Sequence, residues 1–189
     1  MSKFGWQDGE GDGIMCPGGS IANMYGMVLA RHRKFPEAKC AGVAAIGRPL
    51  VAFTSEESHY WIAKGANWLG IGSDNVVKVK TDKWGRMIPS ELDRYMFGSS
   101  SYKTVALTIF DPFSLIQMCK KEGKEPFFVN ATSGSTVMGA FDQLDELAAI
   151  CKRHDIWLHE DACWGGSFVM SSLHKKNLEV MIMIELKLC

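Results

Sequence analysis

The residues in this chain best suited to chemistry close a short apolar run, Trp157-Leu158-His159-Glu160-Asp161-Ala162-Cys163-Trp164-Gly165-Gly166. An apolar strand that ends on an acid and turns through two glycines delivers that acid to the carboxyl edge of a sheet, where open α/β sheets bind ligands. A carboxylate fixed there suits a positively charged heteroaromatic ring. Asp161 has a second reading, as the cap of a following helix.

Three more groups could act at the same edge. Pro17-Gly18-Gly19-Ser20-Ile21-Ala22-Asn23 sets two glycines before a helix start, where free backbone N–H groups and the helix dipole attract an anion. It also reads as an ordinary capped loop. His59 lies just past a strand in Ser55-Glu56-Glu57-Ser58-His59-Tyr60. It suits stacking on a planar cofactor or carrying a proton, and equally a polar place in the first turn of an amphipathic helix. Thr132-Ser133-Gly134-Ser135-Thr136 offers hydroxyls after another strand, or is simply loop.

Other chemistries lack their signatures. There is no G-x-S-x-G for a serine hydrolase. No Walker lysine follows Gly18-Gly19 and no G-x-G-x-x-G is present, which disfavours a complete small nucleotide-binding domain. His154 and His159 straddle a helix-to-strand junction rather than sharing a helical face, so no metal site is expected.

The elements that must position these groups alternate helix and strand. Ser20 caps a helix to about Lys34, with Ile21, Met24, Tyr25, Val28 and Leu29 as its apolar face. Strands are expected at Leu50–Thr54, Asn75–Lys80, Phe127–Ala131 and Ile156–Glu160. Helices are expected at Glu56–Leu69, from Pro89 onward, and after an Asp142 cap, with Leu144, Leu147, Ala148 and Cys151 facing inward. The pattern predicts an α/β domain with a mainly parallel sheet flanked by helices. Phe97–Ser114 interrupts it as an extra segment, and Val180–Cys189 is a nearly all-apolar tail.

The bulk properties narrow the class. Twenty-one basic and 21 acidic residues cancel, leaving no basic surplus for nucleic acid. The apolar runs are too short for a membrane span, and the opening residues lack a signal-peptide core, so a cytoplasmic protein is expected. The six cysteines form no C-x-x-C pair and read as free thiols.

Four stretches in order carry a resemblance: Pro17-Gly18-Gly19-Ser20-Ile21-Ala22-Asn23-Met24-Tyr25; Phe53-Thr54-Ser55-Glu56 with His59-Tyr60; Phe128 through Asp142; and Trp157 through Gly166. Together they resemble the group II pyridoxal-phosphate-dependent amino-acid decarboxylases. They lie nearer the acidic branch (cysteine sulfinic acid decarboxylase and glutamate-decarboxylase-like enzymes) than the aromatic branch, over about Asp12 to Ser171.

The resemblance implies an incomplete fold-type I large domain over residues 1–180, with 97–114 an insertion and 181–189 a divergent tail. It implies pyridoxal phosphate as cofactor, a small acidic amino acid as substrate and a homodimer as the working form. Ile21 and Ala22 would hold the phosphate, and His59 would stack on the pyridine ring. Asp161 would pair with the ring nitrogen, Cys163 would pack near the other face, and Thr136 would lie at the ring edge.

Departures matter too. The family's Schiff-base lysine lies in an Asn-Pro-His-Lys segment that these 189 residues do not contain, and Lys64, Lys78 and Lys80 lie in the wrong motifs to replace it. A hydroxyl usual in the family is replaced by Ala22, and a usual valine by Glu160. The expectation is a partial product, a truncated gene model or splice form, that does not decarboxylate by itself. The alternative is a non-catalytic form that binds or regulates the full-length enzyme.

Overall fold

The computed structural model describes residues 12–97 and 122–173, the side chains of 94–97 excepted. The segment 98–114 and the tail 180–189 lie outside the described residues. Four strands, β1 (Leu50–Ser55), β2 (Val76–Val79), β3 (Glu125–Thr132) and β4 (Trp157–Asp161), pair in parallel in the order β2-β1-β3-β4. All of β1 and β3 is buried, as expected of parallel strands covered on both faces.

Helices α1 (Gly19–Lys34) and α3 (Trp61–Trp68) cover one face, and α4 (Pro89–Phe97) and α5 (Leu144–His154) the other. The short α2 (Ala38–Ala41) follows α1. Alternation along β1 sorts its side chains: Leu50 and Ala52 pack with Met27, Ile62 and Ala66, whereas Val51 and Phe53 pack with Leu92, Leu147 and Ile150.

β3 begins two residues earlier than the apolar run suggested, and Pro126 lies inside it. Proline has no N–H for the ladder, and the β1–β3 register shifts there, with Val51 opposite Pro126 and Ala52 opposite Phe128. The extra residue turns Phe127 and Phe128 to the same face. Lys34 and Arg48 pair with the buried Glu125 carboxylate at 2.9 and 3.2 Å, anchoring the amino end of β3.

Some expected boundaries and caps differ in the structure. The helix expected from Glu56 starts at Trp61, because the Glu56 N–H extends the sheet ladder to the Val79 carbonyl at 2.9 Å. Helix α1 is capped by Gly18 at φ 99° and not by the Ser20 side chain. Its buried face carries Asn23, Met24, Gly26, Met27 and Ala30, while Tyr25 and Leu29 are exposed. That rotation follows from close packing on β4. A Cβ at Gly26 would stand 2.5 Å from Nδ1 of His159, so glycine alone lets the helix approach.

Asp142 does not cap α5, whose N-cap is Gln143. Its carboxylate accepts the N–H groups of Met87 at 2.6 Å and Thr132 at 2.7 Å, tying three segments together.

Candidate active site

The chain leaves β1 to one side for β2 and returns on the other for β3, so the carboxyl edge near β1 and β3 is a topological switch point. A cavity of about 210 Å³ opens there. Helix α1 contributes Gly19, Ser20 and Asn23. The β1–α3 connection contributes His59 and Trp61, the residues after β3 contribute Gly134 and Thr136, and β4 contributes Asp161, with Cys163 and Trp164 following.

Asp161 is the buried charge of this cavity, only 6% exposed. Its Oδ2 accepts the indole N–H of Trp61 at 2.8 Å and its Oδ1 accepts the backbone N–H of Cys163 at 3.2 Å. A buried carboxylate must be hydrogen-bonded, and these two donors fix its orientation. The next residue after Cys163 continues into a 3-10 turn, Gly165–Met170, so the strand-end reading of Asp161 holds over the helix-cap reading.

His59 lies in the turn before α3. Its Nδ1 accepts the Trp61 backbone N–H at 3.2 Å, which leaves the ring proton on Nε2. Its ring lies 4.2 Å from that of Tyr60, tilted by 32°.

At the start of α1, the N–H groups of Gly19, Ser20 and Ile21 precede the first intrahelical bond and point out of the helix. Ala22 differs from expectation. Its N–H already donates to the Gly18 carbonyl at 3.2 Å, and its side chain faces solvent. The Ile21 side chain packs against the core, and neither residue lines the cavity, whereas Gly19, Ser20 and Asn23 do.

Thr136 and Cys163 both reach the cavity. Cys163 is exposed overall, but partial desolvation of its thiol and the neighbouring Asp161 carboxylate push it up to about 11, so it is a thiol there rather than a thiolate. Asn23 links it to β4, with Nδ2 at 3.8 Å from Cys163 Sγ and Oδ1 at 2.8 Å from His159 Nε2. Burial drives His159 down to about 4, so this bond is donated by a neutral ring.

Glu160 is paired after all. Its carboxylate accepts the buried Ser133 hydroxyl, while burial foremost pushes its pKa upward. Ser133 also receives the Gly165 N–H and gives its own N–H to the Asp161 carbonyl, both at 2.9 Å. Gly134 follows at φ 87°, and a Cβ on it would stand 2.8 Å from the Gly165 nitrogen. Only glycine fits that turn.

Sequence reasoning missed Trp61 and Asn23 as site residues. The signal for Trp61 was its place two residues after His59, since a buried indole N–H needs a partner. Lys64 sits over the Tyr60 ring, and none of Lys64, Lys78 and Lys80 lines the cavity.

Residues 1–186 match the model of the pyridoxal-dependent decarboxylase conserved domain. The chain belongs to that family. The match runs further toward both ends than the motif-bearing stretch Asp12–Ser171. Cysteine sulfinic acid decarboxylase of Mus musculus is 46% identical over 175 residues, covering 93% of this chain and 31% of that protein. Acidic amino acid decarboxylase GADL1 of Bos taurus is 49% identical over 180 residues, covering 95% and 30%. The crystal structure of mouse CSAD superposes with a TM-score of 0.81 at 45% identity, covering 96% of this chain and 33% of that one. The chain therefore spans about a third of the length of the relatives it matches. Its parallel sheet with helices on both faces is part of that fold.

The cavity fits the pyridoxal phosphate of this family. It is lined both by an acid, Asp161, and by the start of a helix whose first N–H groups have no partner among the described residues. The Thr132 hydroxyl oxygen is buried in its wall without a hydrogen-bond partner, as a polar atom awaiting a ligand would be. Among the described residues no helix is long and apolar enough to cross a membrane.

Proposed function

We propose that the protein carrying these residues is a pyridoxal-phosphate-dependent decarboxylase of a small acidic amino acid: cysteine sulfinate, aspartate or glutamate. The names of the two relatives above support that substrate class. One observation carries the assignment to this cavity: a buried, doubly anchored Asp161 faces the same space as His59 and the free N–H groups of α1.

When bound, the cofactor supplies an electron sink for the pair left on the substrate Cα as carbon dioxide departs. The chain's own residues would hold and orient the cofactor. The N–H groups of Gly19, Ser20 and Ile21 bind the phosphate at the dipole end of α1. The Asp161 carboxylate holds a proton on the ring nitrogen, where positive charge makes the ring a better acceptor of electrons. His59 presents its imidazole to one ring face, with Nδ1 fixed by Trp61 and its proton on Nε2. Cys163 would pack toward the other face and Thr136 would lie at the ring edge; both line the cavity, as does Thr132.

The working unit on this reading is a cytoplasmic homodimer. Exposed Val137 and Trp164, beside Thr136 and Cys163, suit a surface that a second subunit covers. The 189 residues alone, without an Asn-Pro-His-Lys segment, do not turn over substrate.

The test is release of carbon dioxide from each of the three acids by the purified complete protein supplied with pyridoxal phosphate. Release from at least one, lost in D161N, is expected; release from none overturns the proposal.

A further inference from the structure

Trp61 is the best-hidden aromatic side chain in contact with the cavity, 1% exposed, and it stands at the first position of α3. Each of its two N–H groups has a partner in the site. The backbone N–H goes to His59 Nδ1 at 3.2 Å, and the indole N–H goes to Asp161 Oδ2 at 2.8 Å. We propose that Trp61 is a positioning residue for the cofactor ring, locking its two protein neighbours, His59 and Asp161, in one fixed relation. The inference rests on the roles given to His59 and Asp161 under Proposed function.

The indole bond is the one that constrains the acid. Among the described residues the other donors to Asp161 come from Cys163, its backbone N–H at the longer distance of 3.2 Å and its thiol, both from the same chain segment and able to move with it. Trp61 reaches the carboxylate from a different element 100 residues away, and so fixes it relative to the rest of the fold. The indole is itself immobilised. It packs among the buried residues of α1 and α3, and it meets the His159 ring edge-on with centroids 6.0 Å apart. A hydrogen bond to a charged acceptor in a buried place is among the stronger kind. Phenylalanine at this position would keep much of the packing and the backbone bond to His59, and would remove only the grip on Asp161.

The test is a double-mutant cycle in the complete protein, reading the dissociation constant of pyridoxal phosphate by equilibrium dialysis. W61F is expected to weaken binding roughly tenfold, the scale of one charge-assisted bond. D161N is expected to weaken it more, and W61F/D161N no more than D161N alone, because the indole acts through the acid. The absorption spectrum of the bound cofactor should move in W61F in the same direction as in D161N, a change that loss of packing by itself does not produce. Multiplicative losses in the cycle, or an unmoved W61F spectrum, overturn the role of Trp61 and leave Asp161 as read. Unchanged affinity in D161N overturns the reading of Asp161 and this inference with it. Should W61F fail to fold, the indole proton resonance of Trp61 decides. An upfield move on D161N, with no cofactor present, supports the bond, and an unmoved resonance overturns it.

Discussion

Asp142 gives the sharpest stability prediction, because a single carboxylate holds the loop that carries Gly134 and Thr136. It accepts the N–H groups of Met87 and Thr132, and its own N–H donates to the Thr132 carbonyl at 2.9 Å. Burial outweighs the two hydrogen bonds and raises this group from 3.8 to about 6. An acid raised on folding keeps its proton in the native state after the unfolded chain has released it. Its stabilising effect is therefore complete below about pH 4, falls as pH rises to about 6 and stays constant above. At about 1.4 kcal/mol per pH unit, the two-unit rise withdraws ~3 kcal/mol over that window. Asp142→Asn removes the titration but gives up one acceptor, leaving a backbone N–H facing an amide N–H. That loss costs about 1–3 kcal/mol at every pH. The variant should thus be clearly less stable than the parent near pH 4 and close to it, or slightly more stable, near pH 7. Urea unfolding of both proteins at several pH values measures the difference, in which all other titrating groups cancel. A penalty that is constant or grows with pH refutes the reasoning.

Other substitutions follow from the same contacts. Glu160→Val leaves the buried Ser133 hydroxyl without its acceptor. It should cost about 1 kcal/mol near pH 4, and the deficit should shrink at higher pH, because burial raises the Glu160 pKa and the parent then carries an unfavourable charge. Thermal melts at two pH values check the sign. Gly26→Ala should destabilise by about 1–3 kcal/mol, because its Cβ would press on His159, and the cost should fall in Gly26→Ala/His159→Ala. Gly134→Ala combines a φ of 87° with a backbone obstruction. It should cost about 1–3 kcal/mol by denaturant unfolding and weaken cofactor binding as the Thr136 loop shifts.

The sheet was the most legible part of the fold in the sequence. Strands buried on both faces read as apolar runs, and two such runs mark β1 and β3 to within two residues; β4, only partly buried, was placed within one residue by the shorter run that ends on its acids. Helix phase was less legible. The face of α1 is set by how closely Gly26 lets it approach His159, a contact made across 133 residues that periodicity in a short window does not register. The same holds for Asp142, whose capping position is overridden by a bond to Met87 from 55 residues away. At the site, Asp161, His59, Thr136 and Cys163 stood out through motif order, and the cavity brings all four together. Of the helix-start residues, Gly19, Ser20 and Asn23 line the cavity rather than Ile21 and Ala22, because helix α1 starts one residue before Ser20 and engages the Ala22 N–H. Glu160 stood out as a misplaced acid, but its partner, Ser133, lies just past the neighbouring strand β3 and only pairing in space supplies it.

The most direct test of the central claim is an experimental structure of the complete protein with pyridoxal phosphate bound. The account predicts the ring nitrogen on Asp161, the His59 imidazole against one ring face and the phosphate on the N–H groups of Gly19, Ser20 and Ile21. A cofactor held elsewhere, or bound here with its nitrogen facing a group other than Asp161, would contradict it.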